Sequence, residues 1–312
     1  MTEWLYEAGI GEARAALIAD GRIVKARIES DGEGPRVGAV LAGRLTDLRE
    51  RRVTLDGGGQ VLLDTAPKGL TQGVALRVAI TRAAIPEPGR AKLPKAAATD
   101  QPLCDAPDLL ARITASEVPV RRLLAHERDA LEEAGWSEVL EEATTGEIAF
   151  PGGALRMSPT PAMTLFDVDG GGDAEALAVA AATAVAQAIV RHGIGGSIGV
   201  DFPTFGGKAA RQAVAEAIDA ALPQPFERTA LNGFGFLQIV RRRRRASLPE
   251  LLRADPAGAA ARALLRSIER SPPGGVPRHV VSPAIHAALA RRMDWTAELA
   301  RRTGATHMFE TR

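Results

Sequence analysis

The chain has 312 residues, with Lys plus Arg (39) almost cancelling Asp plus Glu (38), so attraction to a polyanion must come from local clusters of charge rather than from the total. Its length suits two or three domains. The single Cys104 permits neither an intrachain disulfide nor a cysteine zinc cluster, and "MTEWLYEAGI" lacks the basic start and apolar core of a signal peptide, so a reducing cytoplasm is the expected compartment.

In chain order, "GEARAALIADGRIVKARIE" (11–29) predicts two strands joined at Asp20-Gly21, a pair suited to the positive torsions of a tight hairpin. From 37 to 84, short strand-like runs separated by Gly, Pro and Asp predict a small five-stranded barrel. Residues 85–102, rich in Pro, Ala and Lys without hydrophobic period, read as a basic linker. "APDLLARI", "VRRLLAHERDALEEAG" and "SEVLEEATTG" then carry helical spacing.

The most patterned stretch follows. "ALRMSPTPAMTLFDVD" reads as strand, and Asp173 is placed to cap the helix "AEALAVAAATAVAQAIVRH", which Gly193 closes. This apolar run falls short of the roughly 20 residues a membrane span needs, so a packed internal helix, and no membrane partner, is expected. "SIGVDF" is a second strand, "GKAARQAVAEAIDAAL" a second helix, and "FGFLQIVRRRRR" a strand running into Arg241–Arg245. The tail holds two helical patterns between the strand-like runs "RHVVS" and "THMFE".

Strand, helix, strand is a parallel crossover, which places Asp167, Asp169 and Asp201 at carboxyl ends on one sheet edge, where α/β sheets form ligand sites. Carboxylates held together repel unless a divalent cation neutralises them, and a hard oxygen set suits Mg²⁺ or Mn²⁺. Such an ion supports phosphodiester hydrolysis. Strand-terminal aspartates also form turns and caps, and capping alone accounts for Asp173. "DVDGGGD" begins like a calcium loop, but its twelfth position is Ala178 instead of a bidentate Glu. The arginine run can seat several phosphates, with Lys208 and Arg211 as further candidates, although basic clusters are often plain solvated surface. The histidines (126, 192, 279, 286, 307) show no ligand spacing and read as packing or surface, and no phosphate loop of the nucleotide-hydrolase type is present.

The hairpin, "TPAMTLFDVDGG", "GGSIGVDF" and "FGFLQIVRRRRR", in that order, resemble the ribonuclease E/G family. The resemblance implies a mixed α/β (α+β) architecture. An RNase H-like subdomain (1–36 and 103–154) is interrupted by an S1/OB-type barrel (37–84). A DNase I-like catalytic subdomain (155–248) follows, then a small α/β region (249–312). It further implies metal binding by Asp167 and Asp201, RNA contacts by Arg241 and Arg243, and Mg²⁺-dependent endonucleolytic cleavage of single-stranded RNA leaving 5′-phosphates; Asp169, on the same edge, is expected to assist in the catalytic set by orienting the attacking water or completing the coordination. The chain departs from the family pattern in having Asp169 where Asn is usual and Pro161 where an acid is common. It also lacks a 5′-sensor subdomain and the zinc-link cysteines, so no zinc and no zinc-linked dimer are expected. The barrel region contains no Phe, Tyr or Trp, which leaves Arg44, Lys68 and neighbouring arginines for backbone contacts. The alternative is a catalytically inactive RNA-binding regulator or assembly protein derived from that family.

Overall fold

The computed structural model describes residues 2–32, 34–65, 69–87, 91–271 and 277–311. It opens with the antiparallel strands β1 (Glu3–Ala8), β2 (Glu12–Ala19) and β3 (Arg22–Ser30). The β2–β3 hairpin turns at Asp20 and Gly21, whose φ values of 51° and 73° are the left-handed pair this turn needs.

The barrel follows: β4 (Val40–Asp47), β5 (Arg52–Leu55), β6 (Gln60–Leu63), β7 (Ala75–Arg82) and β8 (Lys95–Thr99), closed in the order β4-β5-β6-β8-β7. Leu45, Val53, Val61, Val78 and Ala96 fill its interior. The stretch 85–102 is therefore not a plain linker. Its residues 95–99 form β8, which closes the barrel between β6 and β7 and leaves no unpaired edge. The strand escapes the hydrophobic pattern because "KAAAT" offers only alanines, of which Ala96 points inward. Hydrogen bonds tie this barrel to the rest of the chain: the Ala83 N–H donates to the Arg244 carbonyl at 2.9 Å, and Lys92 Nζ to the Pro161 carbonyl at 3.1 Å.

Next come α1 (Leu109–Thr114), β9 (Val120–Arg122), α2 (Ala130–Glu133) and α3 (Trp136–Thr145). β9 adds in parallel to β1, completing a sheet of order β3-β2-β1-β9. The helical pattern predicted over 120–135 thus yields a strand and a single helical turn. The open edge of β1 captures Val120–Arg122, and backbone pairing to an existing sheet outweighs weak local propensity.

The second sheet comprises β10 (Glu147–Phe150), β11 (Gly153–Pro159), β12 (Thr164–Gly170), β13 (Gly196–Asp201), β14 (Phe226–Arg228) and β15 (Phe236–Arg241). Helix α4 (Ala174–His192) links β12 to β13, and α5 (Lys208–Ala221) follows β13. The order is β10-β11-β12-β13-β15-β14, with β12 and β13 parallel and β15 antiparallel to β13. Asp173 Oδ1 accepts from the Glu175 and Ala176 N–H groups at 2.9 Å, and Gly193 ends α4 at φ 68°. Among described helices α4 alone is long and apolar enough to cross a membrane. Its Ala178, Ala181, Val185 and Ile189 instead pack with Phe166, Ile198 and Val200 of the sheet.

The chain ends with α6 (Leu248–Ala254), α7 (Pro256–Glu269), β16 (Arg278–Val281), α8 (Pro283–Arg291), α9 (Met293–Thr303) and β17 (Met308–Thr311), with β16 and β17 parallel. This end is locked to the first sheet by buried charge. Glu12 accepts from Arg262 and Arg266, both at 2.9 Å, and Glu7 holds Arg14 and Arg270. A side chain at Gly11, where φ is +76°, would come within 2.4 Å of the Trp295 ring.

Candidate metal centre and RNA-facing edge

Alternation along β12 sends Thr164, Phe166 and Val168 into the core and Leu165, Asp167 and Asp169 to the opposite face. On β13, Ile198 and Val200 face the core, while Gly199 and Asp201 share the face of Asp167. Gly199 leaves room there for the Phe236 ring and Leu165, which an added Cβ would approach to 2.7 and 2.8 Å. Asp167 and Asp201 are direct register partners. Neighbouring parallel strands lie about 4.8 Å apart, so the two carboxylates leave adjacent points of one face.

Both are exposed, and among the described residues neither forms an ion pair or a side-chain hydrogen bond. The acids of the first sheet contrast with them: Glu7 and Glu12 are buried and fully committed to arginines. Two adjacent, uncommitted carboxylates at a strand end are a donor set that fits a hard cation such as Mg²⁺, which keeps several waters and takes its remaining ligands from phosphate.

Asp169 is held differently. Arg156, the register partner of Asp167 on β11, places its Nε 3.2 Å from Asp169 and 3.5 Å from Glu147. Among the described residues no three acid, histidine or cysteine side chains converge as a metal group. Of the three expected carboxylates, Asp167 and Asp201 are unpaired among the described residues, while Asp169, on the same face of β12, is ion-paired with Arg156.

On the same edge, a short loop leads from Asp201 to α5, whose first turns carry exposed Lys208 and half-exposed Arg211, both without a carboxylate partner among the described residues. A second loop, 229–235, rises beside Asp201, since β15 begins at Phe236, the register partner of Asp201. Asn232 Oδ1 accepts from the N–H groups of Phe234 (2.9 Å) and Phe236 (3.0 Å), while the Phe202 N–H donates to the Gly235 carbonyl at 2.9 Å. These bonds present Phe234 with 85% of its surface exposed, the one aromatic among the exposed large apolar side chains described. Sequence reading passed over Phe234 as the first residue of a strand. The signal available was an aromatic flanked by glycines in "NGFGF".

The arginines lie elsewhere. β15 runs antiparallel to β13, so Arg241 pairs with Gly196, five residues up β13 from Asp201, or about 16 Å at roughly 3.3 Å per residue. Alternation also turns Arg241 to the other face of the sheet. Arg243 is tied to Glu250, which accepts from Ser247 N–H at 2.8 Å in the capping box of α6. Gly195 and Gly196 admit this segment: a Cβ at Gly195 would sit 3.1 Å from the Arg242 carbonyl. Arg241 and Arg243 are therefore not brought to the aspartates. Arg44, on β4, is exposed and donates to the Gly73 carbonyl at 3.2 Å. Lys68 lies outside the described residues.

Residues 100–244 match the sequence model of the Ribonuclease E/G family, a stretch that holds Asp167, Asp201, Lys208, Arg211, Phe234, Arg241 and Arg243 and begins just past the barrel. No curated protein matches the chain significantly. The segment 100–244, with the register-paired aspartates inside it, is thus similar to the ribonuclease E/G family.

Proposed function

We propose that the protein is a metal-dependent endoribonuclease that hydrolyses phosphodiester bonds of single-stranded RNA and leaves 5′-phosphate ends. The observation that carries this reading is the pairing of Asp167 with Asp201: two unpartnered carboxylates in register at a sheet edge, within the segment of ribonuclease kinship. Asp167 and Asp201 would hold Mg²⁺ or Mn²⁺. A bound ion of this kind lowers the pKa of a water and offsets charge developing on the phosphoryl oxygens. Water adds to phosphorus, the bond to the 3′ oxygen breaks, and the 3′-hydroxyl leaves carrying a proton, so the phosphate stays on the downstream fragment.

The chain's own residues position the substrate. Lys208 and Arg211 offer cations to phosphates beside the cut bond, and Phe234 offers a face on which a base can stack. Stacking needs an unpaired base, which supports a single-stranded substrate. Arg156 holds Asp169 against the adjacent strand, limiting its role to the surroundings of the pair.

A non-catalytic RNA-binding protein is the second reading, favoured by one observation: the carboxylate set is two and not three among the described residues. An unstructured RNA labelled at its 5′ end, incubated with Mg²⁺ and separately with EDTA, distinguishes them. Cleavage with Mg²⁺ alone, giving downstream fragments that can be end-labelled only after phosphatase treatment, supports the nuclease. Binding without any cleavage removes it.

A further inference from the structure

A long cleft of about 1130 Å³ opens at the opposite end of the second sheet, between β3, α1, the segment after β15 and the C-terminal helices. Its described lining holds twelve lysines and arginines against three carboxylates, Glu29, Asp31 and Asp255. Glu29 is already bound to Arg36 (3.0 Å) and Arg112 (2.7 Å), and Asp255 lies 3.5 Å from Arg262. Lys25, Arg241, Arg242, Arg244 and Arg245 have no carboxylate partner and no side-chain hydrogen bond among the described residues.

The crowding has a physical signature. Burial, then the guanidiniums of Arg241, Arg245 and Arg112, hold Arg27 down at about 10. Burial, then Arg112, does the same to Arg245, also to about 10. Arg27 relieves part of its desolvation by donating to the carbonyls of Ala26 (2.6 Å) and Arg191 (3.2 Å), the latter at the C-terminus of α4. Glu29 offsets a part of this for Arg245, but no described carboxylate pairs directly with Arg241, Arg242, Arg244 or Arg245. Twelve like charges against three carboxylates leave a net repulsion in the cleft, and phosphate oxygens, which take guanidinium bonds two at a time, are the anions that best remove it.

We propose that this cleft is a second, non-catalytic RNA site that grips backbone phosphates at a point remote from the bond being cut. This rests on the reading that RNA is the ligand. Because Arg241 lies on the other face of the sheet, the separation of about 16 Å along β13 sets a minimum path, at least about five phosphates at roughly 3.4 Å each in a stacked strand. An RNA must exceed that length to occupy both the cleft and the aspartate pair, so the cleft favours long substrates over short ones.

The test measures binding alone, in EDTA, with the Asp167→Asn full chain and fluorescent oligouridylates of about twenty and about four nucleotides. Lys25→Ala/Arg245→Gln should weaken the long oligomer by about tenfold or more and flatten its salt slope by about two units, one for each phosphate no longer neutralised. The short oligomer, which cannot span from the cleft to the aspartate pair, should bind wild type at least about tenfold more weakly than the long one. The charge-keeping pair Lys25→Arg/Arg245→Lys should restore most of the long-oligomer affinity, and equal melting temperatures certify folding. Unchanged affinity and slope for the long oligomer overturn the site. Equal wild-type affinity for the two oligomers overturns the claim that one strand spans both sites. A melting temperature raised by tripolyphosphate in wild type, with RNA binding untouched by the variant, assigns the cleft to free anions and overturns the RNA claim. Because no cleavage is read, loss of the nuclease reading leaves these outcomes intact and separable.

Discussion

Asp167 and Asp201 face the same way because they are register partners on adjacent parallel strands. A slip of one residue in the β12–β13 pairing would send one of them to the opposite face and bury it among Phe166, Ile198 and Val200. The burial of alternate residues on both strands guards against that slip, so core packing holds the two acids together despite the cost of their repulsion.

Asp167→Asn and Asp201→Asn should each reduce Mg²⁺-dependent cleavage by a factor on the order of 10² to 10³, the scale of losing one preorganised electrostatic group. RNA binding in EDTA should stay close to wild type. Asp169→Asn should cost about tenfold or less and leave the melting temperature nearly unchanged, since its pair with Arg156 is exposed and such pairs contribute about 0–1 kcal/mol. Cleavage at the wild-type rate by either Asn variant at 167 or 201 removes the metal assignment.

Phe234→Ala should weaken binding of unstructured RNA by about 1–3 kcal/mol, the usual contribution of one stacked base, with little change in salt slope. Phe234→Tyr should retain the affinity. Fluorescence titration at several salt concentrations checks both, and a salt-dependent loss would mean that the loop acts through charge.

Gly235 has φ +88°, and a Cβ there would lie 2.3 Å from the Phe202 carbonyl oxygen, a backbone atom that cannot swing away. Gly235→Ala should therefore displace loop 229–235 at a cost of about 1–3 kcal/mol and impair cleavage. Gly233→Ala, which meets nothing within 4 Å, is the matched control. Melting curves and initial rates for the two variants should diverge.

Glu12→Ala should cost about 3–5 kcal/mol, because Arg262 and Arg266 would be left buried without a counter-charge. Denaturant unfolding measures the loss. A change below about 1 kcal/mol would show that α7 does not depend on this carboxylate for its seat.

Acid should destabilise the protein in two stages. Burial holds His192 below its ordinary 6.5 and outweighs the pull of Glu142, while partial burial and His307 lower His279. The unfolded chain therefore binds protons first, and stability falls as pH drops below about 6.5. Glu142 and Asp129 resist burial through arginine and histidine partners that hold them below the usual carboxylate range. Their contribution is present above that range and disappears as pH falls through it. Melting temperature against pH should be level above about 7, and His192→Gln should remove much of the first stage. A flat profile between about pH 7 and 5 refutes the His192 assignment.

Where a feature rests on neighbours in the chain, the sequence was enough. Asp20-Gly21 announced its hairpin, Asp173 and Gly193 marked both ends of α4, and the strand, helix and strand around "FDVD" and "GVDF" placed Asp167 and Asp201 on one edge. Such features follow from local torsion preferences, capping and side-chain period, which act within a few residues. Tertiary structure decided the rest. Whether "KAAAT" is linker or strand depends on a gap between β6 and β7, and whether Val120–Arg122 is helix or strand depends on the open edge of β1. The direction of β15 sent Arg241–Arg245 away from the aspartates, and the register of β11 gave Asp169 an ion pair with Arg156 that Asp167 and Asp201 lack among the described residues. Each of these outcomes turns on which strand lies beside which, and in what direction, because hydrogen bonds and charges between distant segments act only after folding has set them side by side.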